Sequence, residues 1–181
     1  MEEQDNENLL IRKAQTDDEK EIYDIELRTI REKCSDVYTK EQIDVWIDLI
    51  QNKNKIGWIL PAIENPLYEF YVAEKESKIV GFGLIFMNNE FLREINIPFI
   101  ALLQELYTHP DYLRQGIATK LLAKLESIAK KEGCNLILAT AFLNSASFFK
   151  KEGYKIKEKY QEFIYKNGAI ERFSIEKSLS L

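Results

Sequence analysis

The sequence predicts an α/β fold, with helices packed on both faces of one sheet. Three observations carry this. Two segments open with a capping-box pattern and continue as apolar stripes at helical spacing. Short apolar or alternating runs, bounded by turn residues, read as strands. The two kinds of segment follow one another as β-α-α-β-β-β-α-β-α-β-β, which is the order of a layered α/β unit.

The first strand is expected at "LLIRKA", Leu9–Ala14. Thr16 then offers an N-cap with Glu19 three residues on, and Ile22, Ile25 and Ile30 follow close to a helical stripe. Thr39 and Gln42 repeat the device before Ile43, Trp46, Ile47 and Ile50. "YEFYVAEKESKIVGFGLIFM" reads as two strands around a turn near Ser77. "FIALLQELYT" is a further apolar strand. Residues 114–132 carry Ile117, Leu121, Leu125 and Ile128 at helical spacing. "NLILATA" reads as a buried strand and "SASFFKKE" as a short helix. The last segment, from Tyr154, reads as a hairpin whose Asn167-Gly168 pair fits a type I′ turn.

Composition narrows the function classes. The chain has 181 residues, 45% hydrophobic and 30% charged, enough to bury a core in one globular unit. No internal repeat or Pro/Gly-rich linker divides it, so one domain over residues 1–181 is expected. A net charge of −5 gives nucleic-acid binding no global electrostatic support. No apolar run approaches the ~20 residues of a membrane-spanning helix. The acidic opening "MEEQDNEN" lacks the apolar stretch of a signal peptide, so a cytoplasmic location is expected. Cys34 and Cys134 are far apart and make no metal-ligand spacing, so they are expected as free thiols and no metal site is predicted.

The stretch "ELYTHPDYLRQGIATKLL", Glu105–Leu122, carries the chemistry. A strand hands over, through a His-Pro turn, to a long helix that opens on Arg114, Gln115 and Gly116. Helix N-termini present unpaired N–H groups and a partial positive charge, and phosphate binds there readily. Gly116 and Ala118 keep the backbone approachable, while Arg114, Lys120 and Lys124 add positive charge. A short Gly-x-Ala string alone is equally at home in an ordinary helix start with solvated basic residues. The element order, this stretch after the fourth strand and "NSASFFKKEGY" after the fifth together resemble the GNAT N-acetyltransferase superfamily over nearly the whole chain.

The resemblance implies a mixed, mostly antiparallel sheet of about six to seven strands and a site for acetyl-CoA as co-substrate. Its loop motif, roughly (Arg/Gln)-x-x-Gly-x-(Gly/Ala), is met by Gly116-Ile117-Ala118 but starts on Leu113, a departure. It implies that Leu106, Tyr107 and Thr108 pair with pantetheine as an added strand would. It also implies that Leu113, Arg114, Gln115, Gly116, Ile117, Ala118 and Thr119 hold the pyrophosphate. Asn144 matches a polar position that touches pantetheine in relatives; a cap for the following helix is the alternative. Phe149 falls where many relatives carry a tyrosine general acid, and phenylalanine cannot donate. The acid is therefore absent or replaced by another tyrosine, with Tyr154 or Tyr107 as candidates.

For the general base, Glu105 is the nearest carboxylate. Strict alternation places Glu105 with Tyr107, away from the face of Leu106, unless a bulge resets the parity. A solvated or ion-paired residue is the competing reading. His109 reads as part of the His-Pro turn, and a Cys34–His109 nucleophilic pair lacks a third partner or elbow motif. Direct transfer in a ternary complex, without an acyl-cysteine, follows. The link "CSDVYTKEQIDVW" is expected to wall the acceptor end, with Asp36 and Tyr38 offered to an incoming amine. "NKIGWILPAIENP" and "NNEFLREINIP" are further candidate walls. The expected partner is a small-molecule or peptide amine, with no nucleic acid and no membrane, and the chain as monomer or homodimer. Leu113 and Phe149 leave open an alternative, a non-catalytic acyl-CoA-binding sensor or regulatory module.

Overall fold

The structure, a computed structural model, describes residues 8–87, 99–163 and 168–179. Seven strands among the described residues form one sheet: β1 Leu9–Lys13, β2 Tyr68–Lys75, β3 Lys78–Phe86, β4 Ile100–Thr108, β5 Leu136–Phe142, β6 Lys155–Phe163 and β7 Ala169–Ser178. Their spatial order is β1-β2-β3-β4-β5-β7-β6. All neighbours are antiparallel except β4 and β5. Five α-helices are described: α1 Glu19–Lys33, α2 Lys40–Ile56, α3 Ile59–Glu64, α4 Ile117–Lys131 and α5 Ala146–Lys151. The expected sheet and its helix-covered faces are present.

Two apolar layers hold the sheet between helices. On one face Ile22, Ile25 and Ile30 of α1 and Trp46 and Ile50 of α2 pack on Val72, Phe82 and Tyr107. On the other, Leu121, Leu122 and Leu125 of α4 pack on Val80, Ile85 and Ile137. Each fully buried side chain of this kind contributes about 1.5–3 kcal/mol on leaving water. The β2–β3 turn is tight, with Glu76 and Ser77 at φ 52° and 60°, the backbone of a type I′ hairpin.

Helix starts show where local rules met competition. Thr39 and Gln42 form the expected box: Thr39 N–H donates to Gln42 Oε1 at 2.9 Å, and Gln42 N–H to Thr39 Oγ1 at 3.3 Å. The Thr16–Glu19 box does not form. Instead Gln15 N–H donates to Asp18 Oδ2 at 2.8 Å, and a 3-10 turn over Thr16–Asp18 precedes α1. Arg12 is the reason, because its guanidinium donates to both oxygens of Asp18 at 2.7 and 2.8 Å and pins that carboxylate at the turn. Helix α3, missing from the expected order, starts at Ile59; Pro61 sits in its first turn, where its lost N–H costs nothing.

Helix α4 begins at Ile117 and not 114, because Arg114 and Gly116 take positive φ values. Strand β5 is only half-buried: Ile137 and Ala141 are covered while Thr140 is exposed. The Asn167-Gly168 turn and the "NNEFLREINIP" segment lie outside the described residues.

Gly81 of β3 fixes the approach of α4 to the sheet. A Cβ there would lie 2.8 Å from the Tyr107 carbonyl oxygen and 3.0 Å from Ile117 Cγ2. Gly81→Ala is therefore expected to destabilise the fold by about 1–3 kcal/mol through overpacking, read as a lower denaturant midpoint at unchanged slope. An unshifted midpoint would show that β3, β4 and α4 are not packed this tightly.

Candidate functional site

The site follows from one break in the sheet. β4 and β5 pair only from Ile100–Leu103 against Leu136–Ala139. β4 continues to Thr108 and β5 to Phe142, so beyond these rungs the two strands part. In β4 the register shifts: Leu84 of β3 faces Glu105 while Ile85 faces Leu103. Gln104 is the inserted residue, and such a bulge bends the strand and resets which side chains share a face. A cleft of about 630 Å³ opens where the strands diverge.

The floor of the cleft includes Glu105, Leu106, Tyr107 and Thr108. One mouth is the start of α4, where Leu113, Arg114, Gly116, Ile117, Ala118 and Thr119 line it. Gly116 is the N-cap at φ 75°, and a Cβ there would meet nothing within 4 Å. Glycine is thus required for the backbone angle, and the space over the helix start is open. The first intrahelical bond is Lys120 N–H to Gly116 carbonyl, so the preceding N–H groups have no partner within the helix. Lys33, Arg114 and Lys151 bring positive charge to the same cleft.

Several expected residues lie elsewhere. Gln115 is not in the lining; its side chain accepts a hydrogen bond from Lys75 Nζ at 3.2 Å. Tyr154 is 3% exposed and packs edge-on against Phe149 in the α4-side core. Burial and the neighbouring Glu126 charge hold its phenol far above the usual tyrosine range. It is a core residue and not a cleft acid. Tyr38 is also buried: its hydroxyl donates to the Glu171 carbonyl at 2.6 Å and accepts from Leu143 N–H at 3.0 Å. It ties α2's entry to β5 and β7 and offers nothing to a ligand. Asp36 is exposed beside it and lies outside the cleft lining.

Asn144 and Phe149 do line the cleft. Asn144 is not a helix cap; its amide donates to the Lys33 carbonyl at 2.8 Å, joining α1's end to the loop before α5. Phe149 closes the wall with its ring. Cys34 also reaches the cleft, but burial pushes its thiol up to about 11, opposite to what a nucleophile needs. His109 points elsewhere: Nε2 faces Arg28 Nη1 at 2.9 Å and Nδ1 accepts from Asp111 N–H at 3.2 Å.

The opposite end of the cleft holds a charge cluster that the motif reading missed. Glu26 of α1 is 1% exposed, lines the cleft, and neither carboxyl oxygen has a hydrogen-bond partner. Burial, then the Glu105 charge, pushes Glu26 up to about 8, against a partial counteraction by Lys53. Glu105 is raised too, first by burial, and accepts a bond from Lys53 Nζ at 3.4 Å. Arg172 and Glu162 form an ion pair at 2.7 Å on the same wall, the guanidinium lying over Phe142 at 4.5 Å. The signal for Glu26 was in the stripe: it stands one helical turn after Ile22 and one before Ile30, a carboxylate on a face that must be buried.

Comparison with known proteins gives the same direction. The model of the acetyltransferase (GNAT) family matches residues 20–154. Over 80 residues the chain is 31% identical to the thialysine N-epsilon-acetyltransferases of Mus musculus and Bos taurus. That alignment covers 40% of this chain, which thus spans 45% of the length of the curated relatives it matches. A GCN5-related N-acetyltransferase structure from Rhodopseudomonas palustris superposes with a TM-score of 0.78 at 23% identity, covering 95% of this chain and 96% of that one. PaiA N-acetyltransferase from Thermoplasma acidophilum, in complex with coenzyme A, gives 0.73 at 24% identity, covering 94% and 99%. At these identities the two structures establish likeness of fold.

Two outcomes are expected of these placements. Tyr38→Phe leaves the Leu143 N–H without its acceptor and should cost about 1–3 kcal/mol of stability in denaturant unfolding; an unchanged midpoint would contradict its role as a strut. Glu26 binds its proton more tightly folded than unfolded, where it titrates near 4.5. Its protonated form is shared by both states at low pH, so the stability it lends is present below about 4.5 and is lost as pH rises to about 8. Melting temperature against pH should therefore fall across that window in the wild type and fall less in Glu26→Gln.

Proposed function

The chain belongs to the GNAT acetyltransferase family, and on that premise we propose that it is an N-acetyltransferase that moves an acetyl group from acetyl-CoA to an amine. The observation that carries this reading is the parting of β4 from β5, which leaves a strand edge leading to an open helix N-terminus. The reading takes residues 1–181 as one catalytic unit.

Acetyl-CoA supplies an activated thioester. The chain's own groups fit such a molecule in three ways. The edge of Leu106–Thr108 beyond the last β4–β5 rung can add an amide-bearing arm as a further strand. The amides of Ile117–Thr119, under the open space at Gly116, suit a pyrophosphate, with Arg114 and Lys151 as counter-charges. Asn144 and Phe149 flank the arm between them. Gln115 contributes backbone only, since Lys75 holds its side chain. The loss of Arg or Gln at 113 weakens this cradle without removing it, because the helix start and Arg114 remain.

The acceptor amine enters from the end where Glu26, Lys53 and Glu105 meet. Carboxylates in the cleft wall attract an ammonium ion, and one that takes its proton leaves the amine neutral. Transfer is direct, since Cys34 is held protonated and His109 is turned to Arg28. The similarity to thialysine N-epsilon-acetyltransferases makes an amine on a flexible arm the first acceptor class to try. A non-catalytic acyl-CoA sensor finds support in Phe149, which puts no proton donor at its place in the wall. The unpartnered Glu26 beside Glu105 favours the enzyme.

Acetyl-CoA at about 100 times its dissociation constant should stabilise the protein by about 2.7 kcal/mol, seen as a raised melting temperature. Arg114→Glu should weaken that ligand at least tenfold, about 1.4 kcal/mol, while the fold is kept. Gly116→Glu should abolish the shift, though it also strains a backbone at φ 75°. Cys34→Ala should retain most turnover on any amine accepted. No thermal shift at millimolar acetyl-CoA would overturn the assignment, and turnover of no amine in the presence of a full shift would favour the sensor.

A further inference from the structure

Among the described residues, Glu26 is the one carboxyl with both oxygens buried and unpartnered. A carboxyl that is 1% exposed normally has hydrogen-bond partners, and both oxygens here have none. Thr108 Oγ1, on the strand below, is likewise buried without a partner. Such groups cost stability unless something satisfies them. All of this faces the cleft, and not a closed core.

Glu26 and Glu105 are not equivalent. Glu105 already accepts from Lys53 Nζ at 3.4 Å, an ion pair that stabilises its ionised form. The titratable groups facing Glu26 are Glu105 and Tyr107 from β4 and Lys53 from α2, and none of them donates a hydrogen bond to it. Apolar side chains of Trp46 and Ile50 line the same end. An incoming ammonium would therefore find one carboxylate already paired with lysine and a second with both oxygens vacant.

We propose that Glu26 is the residue that receives the acceptor's ammonium group and removes its proton, while Glu105, paired with Lys53, stands beside it as the second carboxylate of the cleft. The proposal rests on the acetyl-transfer reading and adds the base to it. In the step, an N–H bond of the ammonium breaks and an O–H bond forms on Glu26. The electron pair stays on nitrogen, which becomes a neutral nucleophile. The proton returns to solvent when the acetylated product, which has no positive charge to hold, leaves. A base whose proton affinity lies near the working pH is the efficient choice, and burial beside a second carboxylate tunes Glu26 upward in that direction.

The test uses protein carrying 13C-labelled glutamate, with the Glu26 carboxyl signal identified by its loss in Glu26→Gln. Its titration is followed by NMR alone, with n-butylammonium, and with tetramethylammonium, which has the charge but no N–H. The expected result is a Glu26 midpoint lowered by at least one pH unit in n-butylammonium and moved less in tetramethylammonium. On any amine the wild type acetylates, Glu26→Gln should lose at least 100-fold in kcat/KM and the rise of kcat/KM with pH, with an unchanged acetyl-CoA thermal shift. Glu26→Asp, which keeps a carboxyl on a shorter arm, should keep the pH profile at a lower rate. A Glu26 signal unmoved by n-butylammonium, or a Glu26→Gln enzyme with the wild-type pH profile, would overturn the proposal. Failure of the acetyl-CoA shift in the wild type would instead strike the reading beneath it, and the ammonium titration would still decide whether Glu26 binds an amine.

Discussion

The separation of β4 from β5 is the constraint on which the rest of this structure depends. A parallel pair is kept together by evenly spaced hydrogen bonds, and here those bonds stop after Leu103 and Ala139. Every backbone group released by the split needs another partner or water. The bulge at Gln104 makes the split possible without unpairing β4 from β3, because it bends one strand while the antiparallel ladder resumes at Glu105. The same bulge separates Leu103, which packs in the α4-side layer, from Glu105 and Tyr107, which face α1 and α2, although an unbroken alternation would put all three on one face.

From that opening the cleft acquires two electrostatic ends. At one, Arg114 stands just before the α4 start, whose dipole adds in the same sense, and Lys33 and Lys151 line the same cleft. At the other, Glu26 and Glu105 face Lys53, and Glu162 pairs with Arg172. On the proposed reading the phosphates of the acyl donor take the first end and the acceptor amine the second, so the two ligands of a transfer reaction would meet between them. The cleft lies at the joint of α1, α2, β4 and α4.

Much of this was legible in the chain because it is encoded locally. The strand–loop–helix from Glu105 to Leu122 carries its own chemistry: a glycine where φ must be positive, a small residue after it and basic residues around it. The Thr39–Gln42 box was equally readable. What misled were residues whose partners are remote in sequence. Thr16 lost its cap to Arg12 and Asp18, and Tyr38 looked free until Glu171, 133 residues away, and Leu143 took its hydroxyl. Tyr154 read as an acid because it follows the short helix, but the sheet draws its ring inward against Phe149. Glu26 was visible as a carboxylate on an apolar stripe, yet only the tertiary structure shows that its side of the helix borders a cleft.

The central claim is that this cleft is an acyl-CoA site built on the exposed edge of β4 and the start of α4. Amide hydrogen exchange with and without saturating acetyl-CoA tests it most directly, since it reads backbone groups segment by segment. The account predicts slowed exchange concentrated in Leu106–Thr108 and Ile117–Thr119, with the β1–β2 edge of the sheet unchanged. Protection confined to other segments, or none at all under conditions where acetyl-CoA is shown to bind, would contradict it.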